Sequence, residues 1–221
     1  MGTKKFALLL VFAAVVTSTA WGQGMGFGGP PKMAGLFNPV VGSGAEYQIK
    51  NTTAPGPSSF AFAVVGKESV NGAEGYWFEI RMMGGPHSMV MKQLMVVEGG
   101  TPQVKRMIMQ TAGRPPTEMP VGMMNQAMAQ HHPSNIHTDA KGLGQLVGTE
   151  TITVPAGTFV CQHYRENTNG RTSDLWISTK ISPYGLVKLE GPGTTMVLTK
   201  VLEHQTSQIQ GEPQKFPMPM R

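Results

Sequence analysis

The chain lacks the paired cysteines of a disulfide-stabilised secreted domain. Among its 221 residues, Cys161 is the single cysteine, so no disulfide can form within the chain. Small secreted domains that depend on disulfides are therefore excluded. A chain of this length can bury a hydrophobic core without the help of a disulfide.

Charged residues and catalytic motifs are also sparse. Charged residues make up 14% of the chain, and Asp139 and Asp174 are its only aspartates. The sequence contains no His-Glu-x-x-His, Cys-x-x-Cys or Gly-x-Ser-x-Gly. The formal net charge of +5 is scattered without a Lys/Arg cluster, so no footprint for a nucleic acid is visible. We expect a protein that is not an enzyme, needs no cofactor and binds no nucleic acid.

No apolar run is long enough to span a bilayer as a helix. The run from Phe6 to Val16 has 11 residues, whereas a spanning helix needs about 20. Lys4 and Lys5 precede this run and Ala20-Trp21-Gly22 follows it, which is typical of a signal peptide over residues 1–22. No cysteine follows the run to carry a lipid. The sequence predicts a cleaved, periplasmic protein without a lipid anchor.

The two ends of the mature chain differ in composition from its centre. Residues 23–43 are rich in Gly, Pro and Met, and residues 206–221 are rich in Gln and Pro. Such segments bury too little apolar area to offset the entropy lost on ordering. We expect a disordered linker over 23–43, one β domain over 44–205 and a disordered tail over 206–221.

The stretch from Gly148 to Glu203 determines the predicted fold class, because it divides into five strands separated only by short turns. Turns this short join antiparallel neighbours, since parallel strands need about a dozen connecting residues. Five further strands are predicted before residue 112, with Asn71-Gly72 as a hairpin turn. The sequence predicts an all-β antiparallel meander of about ten strands.

One short helix is predicted between the two halves, near 120–131. Pro120 suits the first helical position, and Met123, Met124, Ala127 and Met128 then fall on one face. A sheet of this size must cover a large apolar face, and a curved half-barrel with the helix as a plug or lid would do so. A two-sheet sandwich is the alternative architecture.

The C-terminal half resembles a known group of proteins. VPAGTFVCQHYR is followed by SDLWIS, then by PYGLVKLEG and a last strand, TMVLTKVLE. This pattern is similar to that of exported bacterial proteins of unknown function, grouped near the lipoprotein-carrier (LolA/LppX-like) half-barrels. The resemblance covers about a quarter of the chain and implies a fold more than an activity, because its positions are those of turns and strands. They are Val154, Pro155, Ala156, Gly157, Thr158, Phe159, Trp176, Ile177, Ser178, Gly185, Leu186, Val187 and Lys188.

Methionine is the residue type that the chain has in excess. Of its 17 methionines, 11 lie between Met82 and Met128, where His87 also occurs. Unbranched, polarizable thioethers can repack around varied apolar guests. We therefore predict an exported protein that binds a lipid or another hydrophobic small molecule. The predicted ligand-binding residues are Met89, Met91, Met107, Met109, Met123, Met124 and Met128.

Three other interpretations of this region stay open. Met124, Met128 and His131 are spaced i, i+4, i+7 on the predicted helix, so they can converge on a soft ion such as Cu(I). Methionines at strand or helix spacing are also ordinary core residues. A structural envelope protein without a small ligand, in transient contact with the membrane or with envelope proteins, is the third interpretation.

Cys161 and His163 share a strand face, an arrangement that suggests a thiol nucleophile. Two side chains next to each other on one strand do not by themselves activate a thiol. A small buried cysteine is the commoner state, and we expect it here.

Overall fold

The protein is built almost entirely of strands. The computed structural model describes residues 34–51, 59–83, 88–98, 101–122, 135–137, 140–168 and 170–216. A short 3-10 helix, Ala140–Leu143, lies between the two halves of the chain. The strands of the described residues are β1 (Ala34–Leu36), β2 (Gly44–Asn51), β3 (Ser59–Val70), β4 (Ala73–Met83), β5 (Met89–Glu98), β6 (Thr101–Thr111), β7 (Thr117–Met119), β8 (Asn135–His137), β9 (Gln145–Val154), β10 (Gly157–Thr168), β11 (Arg171–Ile177), β12 (Leu186–Gly191), β13 (Thr194–Leu202) and β14 (Gln214–Lys215).

Twelve of these strands form one open sheet, in the order β14-β7-β6-β5-β4-β3-β2-β13-β12-β11-β10-β9. Strands β2 to β7 make one antiparallel meander, and β9 to β13 make a second. The two join where β13 pairs antiparallel with β2. The predicted all-β antiparallel class is confirmed, with five long strands in each half. One continuous sheet takes the place of the two-sheet sandwich that was the alternative.

Local turn chemistry explains the clearest of these hairpins. Asn71 and Gly72 join β3 to β4, and both have positive φ, of 51° and 83°. A type I′ turn requires positive φ at both central residues, and its twist matches that of the strands it joins. The hairpin predicted at Asn71-Gly72 is confirmed.

One face of the sheet carries the main core, and a small second sheet lies over it. Strands β1 and β8 pair in parallel, with β1 in contact with β11 and β12 and β8 in contact with β6. Phe37, just after β1, packs with Phe78 at a centroid distance of 5.4 Å and with Tyr184 at 6.5 Å. The small sheet therefore bridges the two meanders. The predicted helix near 120–131 lies outside the described residues, except for helical Val121 and Gly122.

The opposite face of the first meander is crossed by residues 203–213, which we call the C-terminal strap. Glu79 of β4 is 0% exposed, and its carboxylate accepts hydrogen bonds from Ser207 Oγ at 2.7 Å and from the backbone N of Gln208 at 3.0 Å. Arg81 Nε donates to the same carboxylate at 2.9 Å. Arg81 also donates to Gln205 Oε1 at 2.7 Å. The strap thus supplies the partners that two buried charges need.

Apolar packing and strand pairing extend the strap across the meander. Ile209 packs on the cluster of Trp77, Leu94 and Ile108. The backbone N of Gln210 donates to Gln110 Oε1 at 3.1 Å, and β14 then pairs in parallel with β7. The described structure includes β1, which lies within the predicted linker 23–43, and residues 206–216, which lie within the predicted tail 206–221. The composition of the tail does not indicate these contacts with the sheet, because hydrogen bonds to polar partners, more than buried apolar area, hold the strap in place.

We expect Glu79→Ala to lower the free energy of unfolding by about 3–5 kcal/mol, because it leaves the Arg81 charge buried without its carboxylate. Urea denaturation measures the change. Brief proteolysis, read by intact mass, should also trim the strap faster in this variant. Glu98→Ala is the control, since the Glu98–Lys105 ion pair is partly exposed to solvent, and solvent-exposed pairs contribute about 0–1 kcal/mol. Equal losses in the two variants would contradict the anchoring role of Glu79.

Candidate functional site

A cavity of about 330 Å³ lies between the sheet and the strap. Its floor is one cross-strand row, in which Glu46 of β2, Ala61 of β3, Arg81 of β4 and Val90 of β5 stand directly opposite one another. Residues directly opposite on neighbouring strands share a face of the sheet. The short side chain of Ala61 leaves depth in the middle of the row. We call this space the strap cavity.

The walls of the strap cavity are mainly apolar. Its size is near the lower end of the range of about 300–1,000 Å³ for small-molecule sites, which typically have apolar walls and a few polar groups. Polar groups are contributed by the floor residues Glu46 and Arg81, by Ser88 and by the strap. The remaining lining residues are Met82, Met83, Ser88, Met89, Leu202, Gln205 and Gln208.

Four of the seven methionines predicted to bind a ligand are described; they lie on one face of β5 and β6, and two of them are core residues. Met91 stands opposite Met109 across β5 and β6, and Met107 shares their face. Met91 and Met107 are 6% and 1% exposed and belong to the main core, whereas Met89 and Met109 are half-buried against it. Of these four, Met89 lines the strap cavity.

The other predicted site residues, Met123, Met124, Met128 and His131, lie outside the described residues. The Cu(I) interpretation therefore stays a prediction. Within the part of the chain that the structure describes, no group of three or more His, Cys, Asp or Glu residues could hold a metal ion. The same described part has no helix long and apolar enough to cross a membrane.

A polar cluster that sequence reasoning missed lies on the second meander. His163 of β10 is buried between two carboxylates, with Nδ1 2.7 Å from Glu150 Oε1 and Nε2 2.7 Å from Asp174 Oδ1. Trp176 Nε1 donates to the other oxygen of Glu150 at 3.0 Å, and Arg165 Nε donates to Asp174 at 2.9 Å. Only the doubly protonated imidazole has an N–H for each carboxylate.

Aromatic stacking completes this cluster. The rings of His163 and Trp176 stack with centroids 4.5 Å apart and planes 16° apart, and Lys188 Nζ lies 4.8 Å from the Trp176 centroid. His163, Trp176 and Lys188 are directly opposite one another on β10, β11 and β12. The cluster joins charges from four strands, and it was hidden in the sequence because only the strand register brings them together.

Cys161 is placed as a buried structural residue. It is 1% exposed, and burial, followed by the nearby Glu150 charge, raises the pKa of its thiol to about 11. Both ring nitrogens of His163 face carboxylates. His163 therefore does not serve as an activating base for the Cys161 thiol in this geometry.

We expect Cys161 to react slowly with a maleimide in the native protein and rapidly in denaturant, because the buried thiol ionises little near neutral pH. Stopped samples read by intact mass give both rates. The control is a double variant, Ser88→Cys with Cys161→Ser, whose single thiol lies at an exposed position and should react rapidly in the native protein. Native labelling of Cys161 as fast as that control would contradict its burial.

The carboxylates beside His163 predict a loss of stability in acid. Hydrogen bonds from Trp176 and His163 lower the pKa of Glu150. Burial acts to raise the pKa of Asp174, but hydrogen bonds from His163 and Arg165 outweigh it and the pKa is lowered. A carboxylate with a lowered folded-state pKa stabilises the fold above its unfolded pKa, and this stabilisation is lost as pH falls through the folded pKa.

The free energy of unfolding should fall between about pH 5 and pH 2, and we expect this fall to be less steep in Glu150→Gln. The slope of unfolding free energy against pH should decrease by the equivalent of up to one bound proton. Urea denaturation at several pH values measures this slope. Glu203→Gln, at an exposed position just after β13, should leave the slope of the unsubstituted protein nearly unchanged. Parallel slopes for all three proteins would rule out a role of Glu150 in the acid transition.

Comparison with known proteins gives no family. No protein-family model matches the chain, and no curated protein matches it. Two solved structures are similar to it: a protein from Bacteroides fragilis described as exported, with a YmcC-like fold, and one from Parabacteroides distasonis described as a lipoprotein. The first has a TM-score of 0.39 and 12% identity over 77% of this chain and 100% of its own. The second has a TM-score of 0.36 and 11% identity over 76% of this chain and 99% of its own, and neither likeness supports a functional conclusion.

Proposed function

We propose that this chain is an exported, non-enzymatic protein that binds a small hydrophobic ligand in the strap cavity. The observation that carries the proposal is the cavity itself. It has a formed floor, a wall supplied by a separate segment and a mainly apolar lining. Sites for small molecules combine such walls with a few polar groups that orient the ligand.

The N-terminal sequence supports the export part of the proposal. Lys4 and Lys5, the apolar run Phe6 to Val16 and the small residues around Ala20 are arranged as in a secretory signal peptide. The periplasm and the absence of a lipid anchor are part of the same proposal. The resemblance to lipoprotein carriers agrees with an apolar ligand but stays a prediction.

Methionine side chains support the hydrophobic character of the ligand. Three methionines line the cavity at the place where β4 ends and β5 begins: Met82, Met83 and Met89. Thioether side chains adapt to differently shaped apolar groups, because they are unbranched and have several rotatable bonds. A lipid fragment or another small apolar molecule therefore fits these walls better than a strongly hydrated solute.

We expect Ser88→Trp to weaken binding of the neutral fluorescent probe N-phenyl-1-naphthylamine at least tenfold, about 1.4 kcal/mol. Ser88 is exposed and lines the cavity, so an indole there fills the entrance without entering the core. Val160→Trp, at an exposed position on β10, is the matched control. Fluorescence titration gives the affinities, and equal values for the two variants would contradict the assignment of the cavity.

A pair of methionine variants separates binding from packing. Met83→Ala should weaken probe binding, because Met83 lines the cavity and is two residues from Arg81 on the same face of β4. Met91→Ala should lower the free energy of unfolding by about 2–5 kcal/mol, as core truncations do, and leave probe affinity nearly unchanged. Probe binding lost in Met91→Ala but kept in Met83→Ala would place the ligand on the core face.

A further inference from the structure

We infer that the strap cavity selects a hydrophobic ligand carrying a positively charged amine, which Glu46 binds. This inference rests on the proposed function and names the chemical class of the ligand. It follows from the charges that line the cavity. Among the described residues that line it, Glu46 and Arg81 are the two that are ionisable.

The Arg81 guanidinium already has a counter-charge and hydrogen-bond partners within the protein. Its Nε donates to Glu79, its Nη1 to Gln205 Oε1 and its Nη2 to the backbone oxygen of Thr206 at 3.0 Å. The guanidinium is thus bonded on all three nitrogens, and Glu79 balances its charge. An anionic ligand would compete for the hydrogen bonds that join Arg81 to the strap. If the strap then detached from the sheet, the Glu79 carboxylate would lose its hydrogen-bond partners.

The Glu46 carboxylate, in contrast, has no hydrogen bond or ion pair with any of the described residues. Its backbone oxygen accepts a hydrogen bond from Thr199 Oγ1 at 3.0 Å, but none of the residues that the structure describes donates to its side chain. It is half-buried on the cavity floor, next to Ala61. A carboxylate at an apolar wall gains more from a cation than one in bulk water, because the effective dielectric constant is lower.

Lys200 is the nearest candidate for an internal partner of Glu46. It stands opposite Glu46 across β13 and β2, yet the two side chains form no ion pair within 4.0 Å. Lys200 is exposed and does not line the cavity. A ligand amine inside the cavity would therefore reach Glu46 from the apolar side, where charge-assisted hydrogen bonds are stronger than in solvent.

Three ligands with the same chain and different head groups test the inference. Octylamine, octanol and octanoate compete with N-phenyl-1-naphthylamine on the full mature chain near pH 7, where the amine is charged. We expect octylamine to displace the probe at a concentration at least tenfold below that of octanol, with octanoate weakest. Glu46→Gln should bring octylamine to the value of octanol, while Glu98→Gln, at the far end of β5 from the cavity, keeps the preference.

Each outcome bears on a different part of the proposal. Unchanged probe and octanol binding in Glu46→Gln shows that the cavity is folded, so a lost amine preference then assigns the cation to Glu46. Lys200→Met should strengthen octylamine binding, since it removes the nearest competing cation. Equal displacement by octylamine and octanol, or a preference that survives Glu46→Gln, overturns the inference but leaves the binding function. Failure of the unsubstituted protein to bind any of the four compounds overturns both.

Discussion

The buried ion pair of Glu79 and Arg81 is the constraint on which the arrangement around the candidate site depends. Charges removed from water require partners, and neighbouring strands offer only their own side chains at fixed positions. Here the backbone of Gln208 and the side chains of Ser207 and Gln205 meet that requirement. A polar segment is thereby bound to a specific place on the sheet. Without the pair, little in the strap's sequence would select that position.

The strap changes what the outer face of the first meander can do. A single sheet with its core on one side ordinarily presents the other side to water. The strap instead buries Trp77, Leu94 and Ile108 on this side, with Ile209 packed against them. It also leaves a space beside Arg81, because Ala61 is too short to fill the gap. The same interactions that fix the strap thus create the strap cavity.

Local sequence signals predicted the strand class and the hairpins, but they could not predict which distant segments of the chain pair with each other. Asn71-Gly72 and the turns of the second meander act over a few residues, so the long strands could be found. The pairing of β13 with β2 and the strap's contact with Glu79 join residues more than 100 positions apart. The burial of Met91 could not be predicted from methionine spacing, because it depends on elements from the whole chain.

The location of the cavity follows from how the two faces are filled. On the core face, Met91 and Met107 are packed in the main core and are only 6% and 1% exposed, which leaves them little surface for a guest. The outer face is covered by one narrow segment, whose hydrogen bonds hold it at fixed points and not along its whole length. Space remains where the strap passes over the small side chain of Ala61. Because the neighbouring Arg81 is already paired with Glu79, Glu46 is the charge on the cavity floor that is open to a ligand, and the inferred preference for an amine rests on it.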